Sequence, residues 1–502
     1  MLSIIYSTAL QGLEGYTIRV ETYIANGLPC FEVVGLGDTA VKESRERVKA
    51  AIKNSGYQFP GKRVIVNLAP GDLRKEGVVY DLAIAVGILA ATVQLNQEQA
   101  QQYSFLGELS LNGEVRPVPG VLPQVLTARE QGFERIIVPK ENADEAALVA
   151  GMQVYPVTTL KQVGDFLNGL LELESYSHPV WSRGTAQAGM DFAEVKGQFA
   201  ARRAMEIAAA GRHNLLMVGS PGSGKTLLAR CLPGIMPPLV WPEALETAKI
   251  YSLAGKFGER QQNLLQTPFR APHHTASTVS LTGGGKYPRP GEISLAHNGI
   301  LFLDEMPEFQ REALEALRQP LEDGRINIAR INASSSFPAR LMLLGACNPC
   351  PCGYYGDQSR ECRCSENQVR RYLDRISGPL LDRIDLMVYV PRVDFAELND
   401  PQPGESSAVI RERVIKARQI QLERAGCCNS VLFGRQMRQF CRLDAQSSAL
   451  LESFFKSFKL TARSHDKILR IARTIADLAG SPQIAAVHLA EAVKYRSENK
   501  LI

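Results

Sequence analysis

The spacing of apolar and polar residues changes twice along the 502-residue chain, and these changes predict three domains. Over residues 1–172, short β-type apolar runs alternate with helical stretches, which predicts an α+β domain. Over residues 198–396, apolar strands alternate with helices, as in an α/β domain with a parallel sheet. Residues 397–502 carry apolar side chains at helix spacing, which predicts a helical lid. In the first domain the predicted strands are 18–23, 31–34, 63–67 and 135–138, and the predicted helices are 40–54 and 80–92.

Turn-forming residues mark both domain boundaries. Residues 173–197 have the composition of a linker. The turn formers there include Ser175, Ser177, Pro179, Ser182 and Gly184. Residues 399–404 read Asn-Asp-Pro-Gln-Pro-Gly, which predicts a hinge-like loop before the lid. The expected fold class is therefore an α/β multidomain chain.

A phosphate-binding loop follows the first apolar strand of the second domain. The motif G-x-x-x-x-G-K-[ST] is complete over Gly219, Ser220, Pro221, Gly222, Ser223, Gly224, Lys225 and Thr226. Its glycines allow a tight turn that points N–H groups at phosphate oxygens, and the helix that begins here adds its positive dipole end. Lys225 would neutralise the β- and γ-phosphates, and the Thr226 hydroxyl would bind Mg²⁺. Because a strand precedes and a helix follows, a plain glycine-rich turn is disfavoured, and the sequence predicts binding of a nucleoside triphosphate.

Two carboxylates end a later apolar strand. Residues 300–303 are Ile-Leu-Phe-Leu, the form of a buried parallel strand, and Asp304 and Glu305 follow. Asp304 would hold Mg²⁺ through water, and Glu305 would orient and polarise the attacking water. Phosphoryl transfer depends on such positioning and charge neutralisation, so this pair predicts hydrolysis.

Three further polar residues suit an ATPase site. Asn348 ends the apolar stretch 344–347 and could sense the γ-phosphate, although it could instead cap the turn before Pro349. Arg383 ends a helix-like segment, and a guanidinium there could stabilise transition-state charge in a neighbouring subunit; the alternative is a surface salt bridge. Arg463 opens a long lid helix and could reach the bound nucleotide.

In this order, the motifs resemble those of an AAA+ ATPase. The segments 269–275 (Phe-Arg-Ala-Pro-His-His-Thr), 348–353 (Asn-Pro-Cys-Pro-Cys-Gly) and 378–383 (Gly-Pro-Leu-Leu-Asp-Arg) resemble the Mg-chelatase-like branch, and more closely the YifB/ComM family. The resemblance covers essentially the whole chain. It implies that ATP and Mg²⁺ are the cofactors, that residues 191–198 frame the adenine, that Arg383 is a finger acting in trans, and that Arg463 is a second sensor.

The resemblance also implies two hairpin insertions in the ATPase domain. Residues 270–297 contain Gly283, Gly284, Gly285 and Pro288, a hairpin-like composition. Residues 324–330 alternate apolar and polar side chains before a turn at 332–336, which predicts a second hairpin. If these hairpins line a ring pore, their basic residues Lys286, Arg325 and Arg330 could contact DNA phosphates; the alternative is a solvated surface with no such role.

The first domain resembles the Lon protease domain without its catalytic pair. Residues 107–142 carry the resemblance, from Gly-Glu-Leu-Ser-Leu-Asn-Gly to Pro-Lys-Glu-Asn. Val79 stands where the Lon serine would be, four residues after Lys75, and Leu122 stands at the position of the lysine base. Valine cannot attack a carbonyl and leucine cannot accept a proton, so we expect no protease activity. The domain is expected to serve assembly or substrate contact.

Four cysteines follow the Asn348 strand in the pattern C-x-C-x9-C-x-C. Cys350, Cys352, Cys362 and Cys364 could close a tetrahedral Zn²⁺ site, but C-x-x-C pairs are more usual for zinc, so reduced free thiols are the alternative. His273 and His274 are expected to hydrogen-bond within their loop rather than to bind metal.

Composition limits where the chain works and adds little on its partners. With 45% hydrophobic and 22% charged residues, the chain is an ordinary globular protein. No apolar stretch is long enough for a membrane span, so no membrane partner and a cytoplasmic location are expected. The net charge of +5 permits nucleic-acid binding without requiring it.

Together these features predict an ATP-driven homo-hexameric motor acting on DNA, because a trans finger needs two subunits for each site. By the resemblance, its activity would be branch migration or a related helicase role in recombination or transformation. Two alternatives remain open. One is a motor subunit for inserting Mg²⁺ into a porphyrin, and the other is a regulatory or protein-remodelling ATPase.

Overall fold

The computed structural model describes residues 1–177, 190–285, 288–330, 333–357, 360–394, 397, 404–458 and 461–497. The chain divides into two compact units. Unit 1 consists of Met1–Gly184, Leu245–Leu264 and Ala329–Ser336, and unit 2 consists of Thr185–Ala244, Leu265–Ile328 and Phe337–Ile502. Two insertions of the second predicted domain therefore cluster with unit 1.

Unit 1 is a mixed α/β fold. Its strands are β1 (Leu2–Gln11), β2 (Glu14–Ala25), β3 (Cys30–Val34), β4 (Arg63–Ala69), β5 (Tyr103–Phe105), β6 (Glu108–Leu109), β7 (Val115–Arg116), β8 (Arg135–Pro139) and β9 (Gln153–Val157). Its helices are α1 (Thr39–Asn54), α2 (Asp81–Ala91), α3 (Gln97–Ala100), α4 (Val121–Glu130), α5 (Ala143–Ala146) and α6 (Leu160–Leu167), with 3-10 turns at Lys140–Asn142 and Phe257–Glu259.

Seven strands of unit 1 form one sheet in the order β3-β4-β2-β1-β5-β8-β9. β1 and β2 pair antiparallel from Leu2↔Tyr23 to Gln11↔Glu14, whereas β5, β8 and β9 are parallel to β1. Along β2, buried and more exposed residues alternate, as expected for a strand with one face on a core. After its first residue, Asp81, helix α2 is apolar all round, and every one of its residues is buried, so it lies inside the core of this unit.

Unit 2 combines a parallel sheet with surrounding helices. Its strands are β10 (Leu215–Val218), β11 (Phe269–Arg270), β12 (Gly283–Gly284), β13 (Arg289–Pro290), β14 (Ile300–Leu303), β15 (Arg325–Arg330), β16 (Ala333–Pro338), β17 (Met342–Cys347) and β18 (Leu386–Tyr389), of which β15 and β16 each run on into the residues of unit 1.

The helices of this unit up to the lid are α7 (Phe199–Gly211), α8 (Lys225–Ile235), α9 (Trp241–Leu253, which continues into unit 1), α10 (Thr278–Thr282), α11 (Glu292–Leu295), α12 (Arg311–Glu315), α13 (Arg318–Asp323), α14 (Glu366–Leu373) and α15 (Gly378–Leu381). Those of the lid are α16 (Ser407–Ala425), α17 (Arg435–Phe440), α18 (Ala445–Phe458), α19 (Ala462–Leu478) and α20 (Ala486–Ser497). The 3-10 turns are Phe192–Glu194, Met306–Glu308 and Asn429–Val431.

The main sheet of unit 2 has the order β11-β14-β17-β10-β18, and all its pairings are parallel. Every residue of β10, β14 and β17 is buried, because helices cover both faces of the sheet. In a parallel sheet all carboxyl ends lie at one edge, and the register Val218↔Cys347 and Leu303↔Gly345 sets the loops after β10, β14 and β17 side by side.

The fold class expected from the sequence is confirmed: an α/β AAA+ core, a helical C-terminal region and a Lon-like N-terminal part. The boundaries 1–172, 173–197, 198–396 and 397–502 stay predictions. The lid helices cluster with the ATPase core in one unit, and Phe192, near the end of the predicted linker, is fully buried there. Among the described residues, no helix has both the length and the apolar character to cross a membrane.

Candidate functional site

The loop between β10 and α8 has the backbone geometry of a phosphate cradle. Gly222 and Gly224 have φ angles of +78° and +89°, which side chains rarely tolerate. At Gly219 the limit is steric, because a Cβ would lie 2.3 Å from the carbonyl oxygen of Val390. Three glycines are therefore needed here for two different reasons, backbone conformation and close approach.

The side chain of Lys225 is buried against the phosphate loop. Its Nζ donates to the carbonyl oxygens of Gly219 at 2.7 Å and Ser220 at 3.0 Å, and to Asn348 Oδ1 at 3.2 Å. Desolvation lowers the pKa of Lys225, since burial disfavours the charged form. An anion bound in the cradle would offset this cost.

The carboxylates after β14 meet the first turn of α8. Thr226 Oγ1 donates to Asp304 Oδ2 at 2.7 Å, and the backbone N–H of Glu305 donates to Asp304 Oδ1 at 3.0 Å. Glu305 has φ +50°, an uncommon backbone conformation for glutamate, and its side chain is half exposed. A hydroxyl and a carboxylate in contact are the oxygen ligands that Mg²⁺ prefers beside phosphates.

Asn348 completes the group, because β17 lies between β10 and β14 in the sheet. Its amide oxygen accepts from Lys225, so the residue faces the phosphate loop. The structure thus brings Lys225, Thr226, Asp304, Glu305 and Asn348 to one sheet edge, as the motif order predicts.

Several buried polar atoms near this loop have no hydrogen-bond partner among the described residues. They are Ser220 Oγ, Ser223 Oγ and Gln198 Oε1. Buried polar atoms are normally paired, so these atoms are suited to a polar ligand. Together with the Mg²⁺-type oxygen pair, they fit a metal-bound triphosphate.

A cavity of about 430 Å³ opens beside the segment 191–198. Its lining includes Val195, Lys196 and Gly197 of this segment and Ile410 and Arg413 of α16. The remaining wall residues are Phe199, Arg202, Arg203, Glu206, Glu397, Gly404 and Glu405. The segment expected to frame the adenine therefore borders a cavity shared with the lid helix.

His274 contacts Glu305, which the sequence did not predict. Its Nδ1 lies 3.5 Å from Glu305 Oε2, and its ring lies 4.1 Å from that of His273. His273 Nδ1 is 2.9 Å from Thr275 Oγ1, a contact within the loop of the kind expected. The contact arises because His274 and Glu305 follow β11 and β14, which pair as adjacent parallel strands, and no local sequence pattern indicates this pairing.

The two candidate arginines contact residues outside the phosphate loop. Arg383 donates to the carbonyl oxygen of Pro379 at 2.7 Å and to the carboxylate of Glu322. Arg463 is mostly exposed and lies 3.1 Å from Asp382. Within the part of the chain that the structure describes, neither side chain hydrogen-bonds to the loop 219–226.

The two predicted hairpins differ in how much of them is described. β12 pairs with β13, and β15 pairs with β16, each as a two-stranded sheet. Arg325, at the start of β15, is exposed. Arg330 ends β15 in the backbone, but its side chain lies outside the described residues, as does the whole of Lys286.

The four cysteines after β17 come together. The Sγ atoms of Cys350 and Cys352 are 3.3 Å apart, and Cys362 Sγ is 3.7 and 3.6 Å from them. All four Sγ atoms, that of Cys364 included, lie within 4.8 Å of one another. Although desolvation opposes ionisation, backbone N–H groups of Tyr354 and Arg363 lower the pKa of Cys352 to about 6.

In unit 1 the two positions of the Lon catalytic pair are apolar and buried. Val79 and Leu122 are 8% and 0% exposed. Ser252, near the end of α9, accepts a hydrogen bond of 3.2 Å from the Leu122 N–H. Its hydroxyl also donates a hydrogen bond to the Glu145 carboxylate. Burial raises the pKa of Glu145 to about 7. Neither Val79 nor Leu122 can act as nucleophile or base, so protease activity is not indicated, as the sequence analysis expects.

Comparisons with known proteins agree with this geometry. Three family profiles match: "Magnesium chelatase, subunit ChlI" over residues 191–398, "Subunit ChlI of Mg-chelatase" over 20–142, and "Magnesium chelatase, subunit ChlI C-terminal" over 404–496. With the parallel sheet and its phosphate loop, they define a Mg-chelatase-like AAA+ ATPase.

Relatives of full length give the narrower assignment. Competence protein ComM of Haemophilus influenzae is 46% identical over 100% of this chain and 98% of its own length. YifB of Escherichia coli is 44% identical over the same shares. Lon protease 2 of Bacillus subtilis is 30% identical over 25% of this chain and 22% of its own length. This chain belongs to the YifB/ComM family.

The close approach at Gly219 predicts a measurable loss of stability. Gly219→Ala places a methyl group against the Val390 carbonyl and should lower the free energy of unfolding by about 1–3 kcal/mol. Chemical denaturation measures this change. In Gly378→Ala, the added methyl would meet no described atom within 4 Å, so the control should stay within about 0.5 kcal/mol of the wild type. Equal effects of the two substitutions would contradict the steric argument.

Proposed function

We propose that this chain is the subunit of a cytoplasmic homo-hexameric motor that hydrolyses ATP with Mg²⁺ and acts on DNA. The meeting of Lys225, Thr226, Asp304, Glu305 and Asn348 at one sheet edge supports it most directly. Membership of a Mg-chelatase-like AAA+ family supports ATP as the nucleotide.

Each residue of this edge has a part in the proposed hydrolysis. The N–H groups and Lys225 bind the β- and γ-phosphates, while Thr226 and Asp304 hold the metal. Mg²⁺ would supply neutralisation of the charge that develops on the transferred phosphoryl group. Glu305 orients the attacking water and accepts its proton, and Asn348 steadies water and γ-phosphate. His274 contacts Glu305 and so restrains where this carboxylate points.

Two substitutions separate nucleotide binding from hydrolysis. Lys225→Ala should abolish ATP binding, because it removes the charge that offsets the triphosphate. Glu305→Gln should bind ATP but not turn it over, because an amide cannot take the proton from water. A fluorescent ATP analogue measures binding, and phosphate release measures turnover. Wild-type turnover by Glu305→Gln would contradict the role of this residue.

A ring is proposed because Arg383 needs a second subunit to reach a nucleotide. Its side chain hydrogen-bonds to Glu322 and to the Pro379 carbonyl and not to the phosphate loop of its own subunit. As a trans finger it would stabilise the charge on the phosphoryl group in the adjacent site. Arg463, exposed on the lid, would act as the sensor for the nucleotide of its own subunit.

DNA is proposed as the substrate of the motor, as a helicase or translocase that moves branch points during recombination or transformation. One relative carries the name competence protein, and competence is the uptake of DNA by cells. The hairpins of residues 283–290 and 325–338 would present Lys286, Arg325 and Arg330 to the phosphates.

The magnesium chelatase profiles favour, as a second candidate, a motor subunit for metal insertion. A rise in ATP turnover on addition of DNA would favour the DNA motor. Absence of stimulation would favour the motor subunit for metal insertion or a protein-remodelling ATPase.

The hairpin assignment predicts a change in the salt dependence of DNA binding. Replacing Lys286, Arg325 and Arg330 with Ala should weaken binding, and each lost phosphate contact should reduce the log–log salt slope by roughly 0.7–0.9. Basal ATP turnover should survive. Fluorescence anisotropy at several salt concentrations measures the slope.

The matched control for this variant changes the same residue types elsewhere. The exposed lid residues Lys456, Arg435 and Arg442 replaced with Ala remove the same charge, so net charge alone cannot explain a difference. Equal slopes in the two triple variants would show that the hairpins do not carry the phosphate contacts.

The cysteine cluster is proposed to hold one structural Zn²⁺. Four thiolates at the tetrahedral Zn–S distance of about 2.3 Å would have Sγ atoms about 3.8 Å apart, close to the 3.3–3.7 Å separations among Cys350, Cys352 and Cys362. The metal would brace the loop that follows Asn348.

Zinc content tests this site without any assay of activity. The purified chain should contain one zinc per subunit by elemental analysis, and Cys362→Ser should lose it, because a hydroxyl is a much poorer ligand than a thiolate. Cys30→Ser, at an exposed cysteine of unit 1, should keep it. A metal-free wild type purified without chelator would leave these cysteines as free thiols.

A further inference from the structure

Three consecutive backbone carbonyls around Arg383 are held by side chains from distant parts of unit 2. The carbonyl oxygen of Asp382 accepts from Lys467, that of Arg383 accepts from Asn214 at 2.8 Å, and that of Ile384 accepts from both Lys467 and Arg496 at 2.8 Å. A loop would normally leave such carbonyls to water, so this segment has an unusually defined position.

Two of the three donors, Lys467 and Arg496, are buried charges, which makes their contacts costly to lose. Lys467 and Arg496 are 8% and 5% exposed. Lys467 Nζ lies 4.0 Å from Asp385 Oδ1, and Asp385 accepts from the backbone N–H of Asn214 at 3.0 Å. Burial lowers the pKa of Lys467 to about 8, so the ammonium keeps most of its charge at pH 7. A buried ammonium without its acceptors would be strongly unfavourable, so these contacts tie the lid helices α19 and α20 to this segment.

The same lid helix carries the candidate sensor. Arg463 and Lys467 are four residues apart on α19 and therefore lie on one face. Arg463 contacts the carboxylate of Asp382, while Lys467 binds the carbonyl of that residue. Three contacts therefore join α19 to residues 382–384: one to the Asp382 carboxylate and two to the carbonyl oxygens of Asp382 and Ile384.

We propose that Lys467 and Arg496 are positioning residues that set the place of the Arg383 finger, so that the lid of one subunit controls hydrolysis in the next. This inference rests on the proposed ring with a finger in trans. When Arg463 engages ATP in its own subunit, α19 moves, and residues 382–384 move with it. The Arg383 guanidinium then exchanges its contact with Glu322 for the nucleotide of the neighbour.

We call the hold of Lys467 and Arg496 on the carbonyl groups of Asp382 and Ile384 the clamp. Lys467→Met tests this clamp, because it keeps the apolar stem of the side chain and removes the hydrogen-bond donor. We expect ATP affinity to stay within about twofold of wild type and kcat to fall about 100-fold, since a misplacement of roughly 1 Å costs that much. Lys467→Arg, which restores a donor, should recover most of the turnover. The matched control is Lys456→Met, the same change at an exposed lysine of the lid, and it should retain the turnover of the wild type.

Mixing experiments show in which subunit the defect acts. Glu305→Gln subunits have a dead site and an intact finger, so mixing them with Lys467→Met subunits should restore turnover well above that of either protein alone. A residue that only supports its own nucleotide site or its own folding would give no such recovery. Loss of ATP affinity in Lys467→Met, or no recovery on mixing, would overturn the clamp.

A parallel mixture separates this inference from the proposed ring. Arg383→Ala mixed with Glu305→Gln should also recover turnover if sites are shared. Recovery there without recovery for Lys467→Met overturns the clamp alone, whereas no recovery in either mixture contradicts shared sites and the clamp with them. If Lys467→Met does not fold, Arg496→Gln carries the same prediction from a different helix, because it weakens the contact with the Ile384 carbonyl.

Discussion

Thr226, at the start of α8, donates a hydrogen bond of 2.7 Å to Asp304, at the end of β14, and this contact exists only because three parallel strands share one register. β17 separates β10 from β14, and the loops after all three strands open at the same edge. The burial of every residue in these strands holds the register in place, since a slip would change which buried side chains pack together. The proposed chemistry depends on this edge: phosphate binding, metal binding and water activation together use groups that follow β10, β14 and β17.

A second constraint is a buried polar network that joins two lid helices and reaches the core through one hydrogen bond. Arg424 binds Asp477 through two bonds of 2.6 and 2.8 Å, and Asn429 links Asp477 to Thr474. Thr474 in turn contacts His213, which follows α7 of the core. A buried ion pair that loses one partner is strongly destabilising, so this pair holds α16 and α19 of the lid together. Core and lid lie in one compact unit.

Unit 1 keeps the packing of a protease-like domain without its reactive groups. Val79 and Leu122 continue the buried apolar core where a nucleophile and a base would lie. Ser252 belongs to a segment inserted in the ATPase sequence and accepts a hydrogen bond from the N–H of Leu122. This N–H group is therefore paired within the protein rather than open to a substrate. Fold and chemistry separate here because packing needs shape and apolarity, whereas catalysis needs particular atoms.

The sequence alone determined the features that depend on neighbouring residues. The phosphate loop, the strand before Asp304 and Glu305, and the strands at 18–23, 31–34, 63–67 and 135–138 follow local spacing, and each lies within a strand or loop of the structure. β1 was not predicted, because its alternating residues become a strand only by pairing along β2.

Only the tertiary structure decided contacts between distant segments. The contact between His274 and Glu305 depends on β11 lying beside β14, and the four Sγ atoms meet through a loop whose path local spacing does not specify. The clamp on residues 382–384 joins Asn214, directly before β10, to Lys467 and Arg496 of the lid helices, which are far from it in the sequence. Motif spacing records short-range geometry, whereas such contacts arise from the packing of helices whose relative positions no local pattern encodes.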